Sequence, residues 1–239
     1  NAKGNIDDFI LKLDGNAPSP VLVNLRLQDG STKPHWSFNT TSEQLMLEHF
    51  GLAADQPYAF SLSGKGVEGN ANLRGHFKRG EVALQIEPSQ ISINAGVLQF
   101  KPLLIRLDAG LFRIEGKAEF IDKDPVFDVS VGSRQIQFVP EDTASKNIAV
   151  NGSAQMKLVG KFSDWKINGD AVLMRANDKA IITLSGHGDD KQLLLDTLSA
   201  ITPTGKLEGK GKFFWEPGLG AELQASMNQF NPAYFFPDF

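Results

Sequence analysis

The sequence predicts an all-β chain, a long antiparallel meander with few or no helices. Three observations carry this prediction. Apolar and polar residues alternate with period two in run after run, the pattern of strands with one buried face. Clusters of Gly, Pro, Asp and Asn punctuate those runs every ten residues or so, too closely for βαβ units. Finally, 41% of the 239 residues are apolar, too many for a disordered chain, while no stretch reaches the ~18 consecutive apolar residues of a membrane helix.

The first clear run, "VLVNLRLQDG", places Val21, Val23, Leu25 and Leu27 on one face. The best helix signal follows in "TSEQLMLEHFG", with Ser42 as cap and Gly51 as stop, yet Leu45 and Leu47 also alternate and the strand reading is preferred. "GEVALQIEP" sets Val82, Leu84 and Ile86 together. In "FRIEGKAEF" the residues Phe112, Ile114, Gly116, Ala118 and Phe120 share one face, with Arg113, Glu115, Lys117 and Glu119 on the wet side. "PVFDVSVGS" gives Phe127, Val129 and Val131, and "AQMKLVGKF" gives Ala154, Met156, Leu158, Gly160 and Phe162. "DDKQLLLDTLSAI" reads as a weak helix or as a strand with Leu193 and Leu195 on the apolar face. "GAELQASM" closes the series with Leu223, Ala225 and Met227. Turns are expected at "DGNAPSP", "QDGSTKP", "KRGE", "IDKDP", "INGD" and "WEPGLG".

One strand type recurs. "IEGKAEF" (114–120) and "LEGKGKF" (207–213) are nearly the same heptad. "LSGKG", "LSGHG", "LRGHF" and "LVGKF" bring the total to six copies of an aliphatic–x–Gly–basic pattern. Their spacing is irregular, so no fixed-period solenoid is implied. Glycine inside a strand packs nothing and weakens it. Its repeated placement on the apolar face means either strand bends at sheet corners or a curled sheet around an apolar channel. Fifteen to twenty strands at ~4.8 Å spacing make a sheet on the order of 70–95 Å wide, and open twisted sheets of that size split or roll up. A plain sandwich meets that constraint, and so does a folded trough holding an acyl chain.

At this point the residues resemble a family. "LVGKFSDWKINGDAVL" (158–173) and the tail "GKLEGKGKFFWEPGLGAELQASMNQFNPAYFFPDF" (205–239), with Phe230, Asn231 and Pro232, are similar to the periplasmic TamB proteins of the AsmA-like, bridge-like group. The likeness covers most of residues 60–239 and, more loosely, 1–59. It implies an elongated antiparallel sheet folded lengthwise into a β-taco trough with an apolar interior. It further implies phospholipid passage between inner and outer membranes, with a linked role in outer-membrane protein assembly. The partners it implies are an inner membrane reached through an absent N-terminal helix and the outer-membrane barrel TamA reached through an absent C-terminal region. The chain is accordingly expected to be one continuous trough segment, 1–239, cut from a longer periplasmic protein, with a weak break near 140–147.

The groove-lining residues expected on this reading are Ile114, Phe120, Val129, Val131, Met156, Leu158, Phe162, Leu207, Phe213 and Leu223. Their ligand is the phospholipid acyl chain, and no cofactor or metal is expected. The net charge of −4, with Lys and Arg scattered singly, argues against nucleic acid. The absence of cysteine removes disulfides, thiol nucleophiles and cysteine metal sites and favours a bacterial envelope or cytosolic origin.

His35, His49, His76 and His187 sit in unrelated contexts. "GHGDD" reads as a hairpin turn with solvated acids, and "GKG" lacks P-loop spacing. Trp36, Trp165 and Trp215 read as strand-end packing, and no catalytic motif is present. A protein-binding scaffold that offers strand edges to outer-membrane clients is the alternative function. An outer-membrane barrel is disfavoured, because two Tyr and three Trp are too few for interfacial girdles.

Overall fold

The period-two runs become strands in a computed structural model, which describes residues 1–15, 20–46, 57–138, 149–216 and 219–231. Eight strands precede residue 109: β1 (Ala2–Asn5), β2 (Asp8–Gly15), β3 (Val21–Gln28), β4 (His35–Leu45), β5 (Tyr58–Val67), β6 (Asn70–Arg79), β7 (Val82–Asn94) and β8 (Val97–Leu107). Eight follow it: β9 (Gly110–Glu119), β10 (Val126–Phe138), β11 (Val150–Lys161), β12 (Asp164–Arg175), β13 (Asp178–Gly188), β14 (Gln192–Ile201), β15 (Lys206–Phe214) and β16 (Gly220–Asn228). They form one antiparallel meander sheet in chain order, with no pairing between β1 and β16 to close it. There is no helix among the described residues.

Among the expected turns, "QDGSTKP" joins β3 and β4, "KRGE" joins β6 and β7, and "IDKDP" joins β9 and β10, while the centres of "DGNAPSP" (16–19) and "WEPGLG" (217–218) lie outside the described residues. One expected turn does not form. "INGD" (167–170) lies in the middle of β12, with Gly169 directly across from both Met156 and Leu184. Its Asn-Gly pair makes no turn because the ladder on both sides continues through it and fixes extended backbone. "DDKQLLLDTLSAI" supplies β14, a strand. "TSEQL" completes β4, while the rest of that helix candidate (47–51), the expected break near 140–147 and the tail from 232 lie outside the described residues.

The chain divides into two compact units, Asn1–Asp108 and Ala109–Phe239. In the first, cross-strand pairs set large side chains against glycine. Trp36 lies across from Gly66, and Phe38 lies across from Gly64, which in turn faces Leu73. A Cβ added at Gly66 would meet the indole at 2.5 Å. Trp36 also stacks on Phe38 at 6.1 Å between centroids, and its Nε1 donates to the Glu68 carbonyl at 2.8 Å in the next turn.

The second unit repeats the device. Trp165 lies across from Gly160 on one side and Gly188 on the other, and its Nε1 donates to the Asp189 carbonyl at 3.0 Å. Gly160 has a φ of +138° and Gly116 a φ of +125°, where a side chain is strained whatever the space. Its most deeply buried cluster is Val150, Leu173 and Ala180, with Phe138 and Ile182 against it.

Adjacent turns are stitched by the same chemistry in both units. Asp7 accepts the Ser31 N–H at 2.9 Å, and Asp124 accepts the Ser163 N–H at 3.1 Å and its hydroxyl at 2.5 Å. Because the next strand's turn is tied to the previous one, register is fixed at strand ends as well as along the ladders.

Space at the glycines predicts which tolerate a side chain. A Cβ at Gly188 would meet the Trp165 ring and the Gln192 carbonyl, both at 2.4 Å. Gly188→Val is therefore expected to cost about 1–3 kcal/mol, the usual range for overpacking. Gly209→Ala, where the nearest atom is the Gln224 carbonyl at 3.2 Å, should stay within about 0.5 kcal/mol. Urea denaturation midpoints of the two variants check the contrast.

Candidate functional site: the apolar face of the second unit

Residues directly opposite in an antiparallel ladder share a face, so the register shows which side chains lie together. One row runs across the second unit through Ile114, Val131, Met156, Gly169, Leu184, Leu198, Gly209 and Ala225. Beside it runs another, through Gly116, Val129, Leu158, Ile167, Gly186, Leu195, Gly211 and Leu223. Neither row contains a polar side chain. Large residues and glycines are interspersed, and some glycines receive part of a neighbour's side chain: Leu223 reaches within 2.4 Å of where a Gly211 Cβ would be, and Leu193 within 3.1 Å at Gly186.

Most charged side chains lie on the opposite face, but Arg175, buried, and Asp178 directly across from it share the face of the apolar rows at the far ends of β12 and β13. Asp170 accepts from Gln155 Nε2 at 2.8 Å, Lys157 pairs with Asp128 at 3.1 Å, and the Ser185 and Thr197 hydroxyls lie 2.7 Å apart. His187 Nδ1 lies 3.0 Å from Asp196. These solvent-exposed pairs help to set register but contribute little to stability.

Two bulges keep the apolar rows continuous. Between Ser133 and Ile136 the register of β10 shifts against both neighbours. On β14 the shift falls between Leu195 and Leu198, so odd-numbered Leu193 and Leu195 and even-numbered Leu198 and Ala200 share one face.

The expected site residues sort by this geometry. Ile114, Val131 and Met156 lie on the first row and Val129, Leu158 and Leu223 on the second. Phe213 is across from Leu193, and Leu207 is across from Ala200 and Met227, on the same face. Phe120 and Phe162 fall just beyond the ends of β9 and β11, 57% and 51% exposed, in turn segments rather than on ladders.

The face also holds a hollow of ≈ 230 Å³ that the sequence reading missed. Its walls include Phe112, Val131, Met156, Ile182 and Leu184, and Gly169 and Ala171 lie between them. Ile182 and Leu184 were legible in principle, since "AIITLSG" alternates; reading "INGD" as a turn hid the strand that joins them to Met156.

At the turn end of this face, Asp189 accepts the N–H groups of Lys191 at 2.8 Å and Gln192 at 3.0 Å. Those donors, the Lys191 N–H foremost, hold its carboxyl below the ordinary aspartate value. Trp165 and Trp215 clamp the same turn, the latter through Nε1 to the Asp190 carbonyl at 2.6 Å. Among the described residues no three His, Asp or Glu side chains are placed to share a metal ion. No protein-family profile matches the chain, and no solved structure matches it.

A depressed folded-state pKa contributes stability above the unfolded carboxylate value, about 3.9, and loses it as pH falls through the folded value. Asp189→Ala should therefore lower the melting temperature at neutral pH, with the deficit shrinking progressively as the pH drops below about 4. Thermal melts of both proteins across that range check the sign.

Proposed function

We propose that this chain is a section of a periplasmic hydrophobic conduit that carries phospholipids between inner and outer membranes, with a linked role in outer-membrane protein assembly. On this reading the sheet folds lengthwise into a β-taco trough, and the apolar rows of the second unit face its interior. The observation that carries the reading is the apolar character of those two rows across eight consecutive strands, β9 to β16, with the Lys157–Asp128 and His187–Asp196 pairs on the other face.

Such a face suits an acyl chain and little else. Burial of each CH₂ contributes about 0.8 kcal/mol, and the two rows, without donors or acceptors, offer nothing to discriminate head groups, so a passage along them is sequential and tolerant. An uncovered apolar strip of this width exceeds what soluble monomers expose, which supports a lipid-filled or self-covered face. The TamB-like strand pattern of residues 158–173 and 205–239 supports the same reading and supplies the two membranes and the TamA barrel as its proposed context.

A carboxylate set on the apolar face must be desolvated by any acyl chain that covers it, at several kcal/mol. Leu158→Asp and Phe213→Asp are therefore expected to lose phospholipid recovery by tenfold or more after incubation with phospholipid vesicles, a change of at least about 1.4 kcal/mol. Lys210→Glu, on the polar face, should recover as much lipid as the unaltered protein. Extraction and mass spectrometry of the re-isolated proteins make the comparison. Equal losses from both faces, or no lipid on any of them, would refute the conduit.

A further inference from the structure

The turns of the second unit hold a surface that neither apolar row uses. In the meander the β9–β10, β11–β12, β13–β14 and β15–β16 turns all lie at one end of the strands. Successive turns there are two strand spacings apart, about 9.6 Å. Three of the four present large apolar side chains to water. Ile121 is 66% exposed beside Phe120, Phe162 stands on the next turn, and Trp215 and Leu219, 42% and 94% exposed, stand on the last. The described turns at the other end of these strands, Ala176 with Asn177 and 202–205, carry no large apolar side chain. Exposed apolar residues scattered singly need no explanation. Five gathered at one end, on turns that no ladder requires to be apolar, call for one.

Hydrogen bonds tie each of these turns to the next. The Phe162 N–H donates to the Pro125 carbonyl at 2.8 Å, and the Trp215 N–H donates to the Lys191 carbonyl at 3.0 Å. Trp165, at the start of β12, donates from Nε1 to the Asp189 carbonyl at 3.0 Å and so joins the second turn to the third. The indole of Trp215 is fixed by its own Nε1 on the Asp190 carbonyl at 2.6 Å, yet the side chain stays open to solvent. A surface already ordered binds without the cost of ordering it, and Trp is among the residues that carry most of the binding energy at protein interfaces.

Charge selects the occupant. The first turn carries Asp122 and Asp124 against Lys123, and the third carries Asp189 and Asp190 against Lys191. The last adds Glu216. This excess of carboxylates repels the same edge of a second copy and repels anionic lipid. A cationic segment with apolar side chains meets both halves of the surface. Its Lys and Arg face the carboxylates, and its apolar side chains rest on the clusters to either side of the acidic third turn. We propose that this end of the second unit docks a cationic amphipathic segment of another protein, anchored on Phe120, Phe162, Trp215 and Leu219. The contact is separate from the apolar rows, and neither it nor the conduit requires the other.

The test follows the fluorescence anisotropy of a labelled amphipathic peptide of leucine and lysine, titrated with the unaltered protein and its variants. Phe162→Ser combined with Leu219→Ser is expected to raise the dissociation constant at least tenfold through loss of two anchors. Asp122→Lys combined with Asp190→Lys should raise it about tenfold by reversing the charge. Ile201→Ser, which removes an apolar side chain 47% exposed at the other end of the strands, should leave it unchanged. All the substituted side chains are exposed, so melting temperatures should hold; should the serine pair lose its β-sheet circular dichroism, the lysine pair gives the same reading. A peptide with glutamate in place of lysine should not bind. Equal binding of that peptide, no binding of the leucine–lysine peptide, or binding unchanged in both turn variants would overturn the docking surface. Vesicles of phosphatidylethanolamine and phosphatidylglycerol that bind the unaltered protein and release the serine pair would assign these turns to a membrane and overturn it too. None of these outcomes bears on the phospholipid recovery that tests the conduit.

Discussion

The constraint on which the rest depends is the pairing of a large apolar side chain with a glycine on the neighbouring strand. Strands run ~4.8 Å apart; Phe60 and Phe77 stand directly opposite and stack at 6.0 Å, whereas Trp36 and Trp165 each have glycine across the ladder. At Gly66 and Gly188 the indoles of Trp36 and Trp165 take the space that a Cβ would need. The indole N–H then reaches the following turn and ties it down. Glycine weakens a strand by itself; the ring that covers it restores the lost contacts. The apolar face is thereby kept thin and continuous, with little side-chain bulk standing above it.

Much of this was legible in the residues. Period two placed Ile114, Val129, Met156 and Leu158 on one face, and register confirms that they share it. The twin heptads show where local reading stops. Gly116 in "IEGKAEF" takes a φ of +125°, with the Asp128 carbonyl 2.0 Å from where a Cβ would sit. Gly209 in "LEGKGKF" has no such φ, and the nearest atom to its would-be Cβ is the Gln224 carbonyl at 3.2 Å. The two sequences match, but their neighbours across the ladder do not, and those neighbours are set by register rather than by the heptad.

Bulges were equally illegible. An extra residue at the Leu195–Leu198 step changes which parity faces the apolar side, and nothing in the run "LLLDTLSAI" marks it. "INGD" failed for a related reason: Asn-Gly favours a turn in isolation, yet within β12 two flanking ladders outweigh that preference. The hollow beside Gly169 was hidden by the same misreading, because a strand read as a turn cannot supply its middle wall.

On the proposed reading, one face of the second unit meets acyl chains and the other meets water. The chain has no cysteine, so a single introduced cysteine gives a unique label. The most direct measurement is a cysteine walk along β11 from Ser153 to Val159, each site carrying an environment-sensitive fluorophore, with and without phospholipid vesicles. The account predicts lipid-dependent blue shifts at positions 154, 156 and 158, with none at 153, 155, 157 and 159. Shifts at every position, or on the odd-numbered side alone, would contradict it.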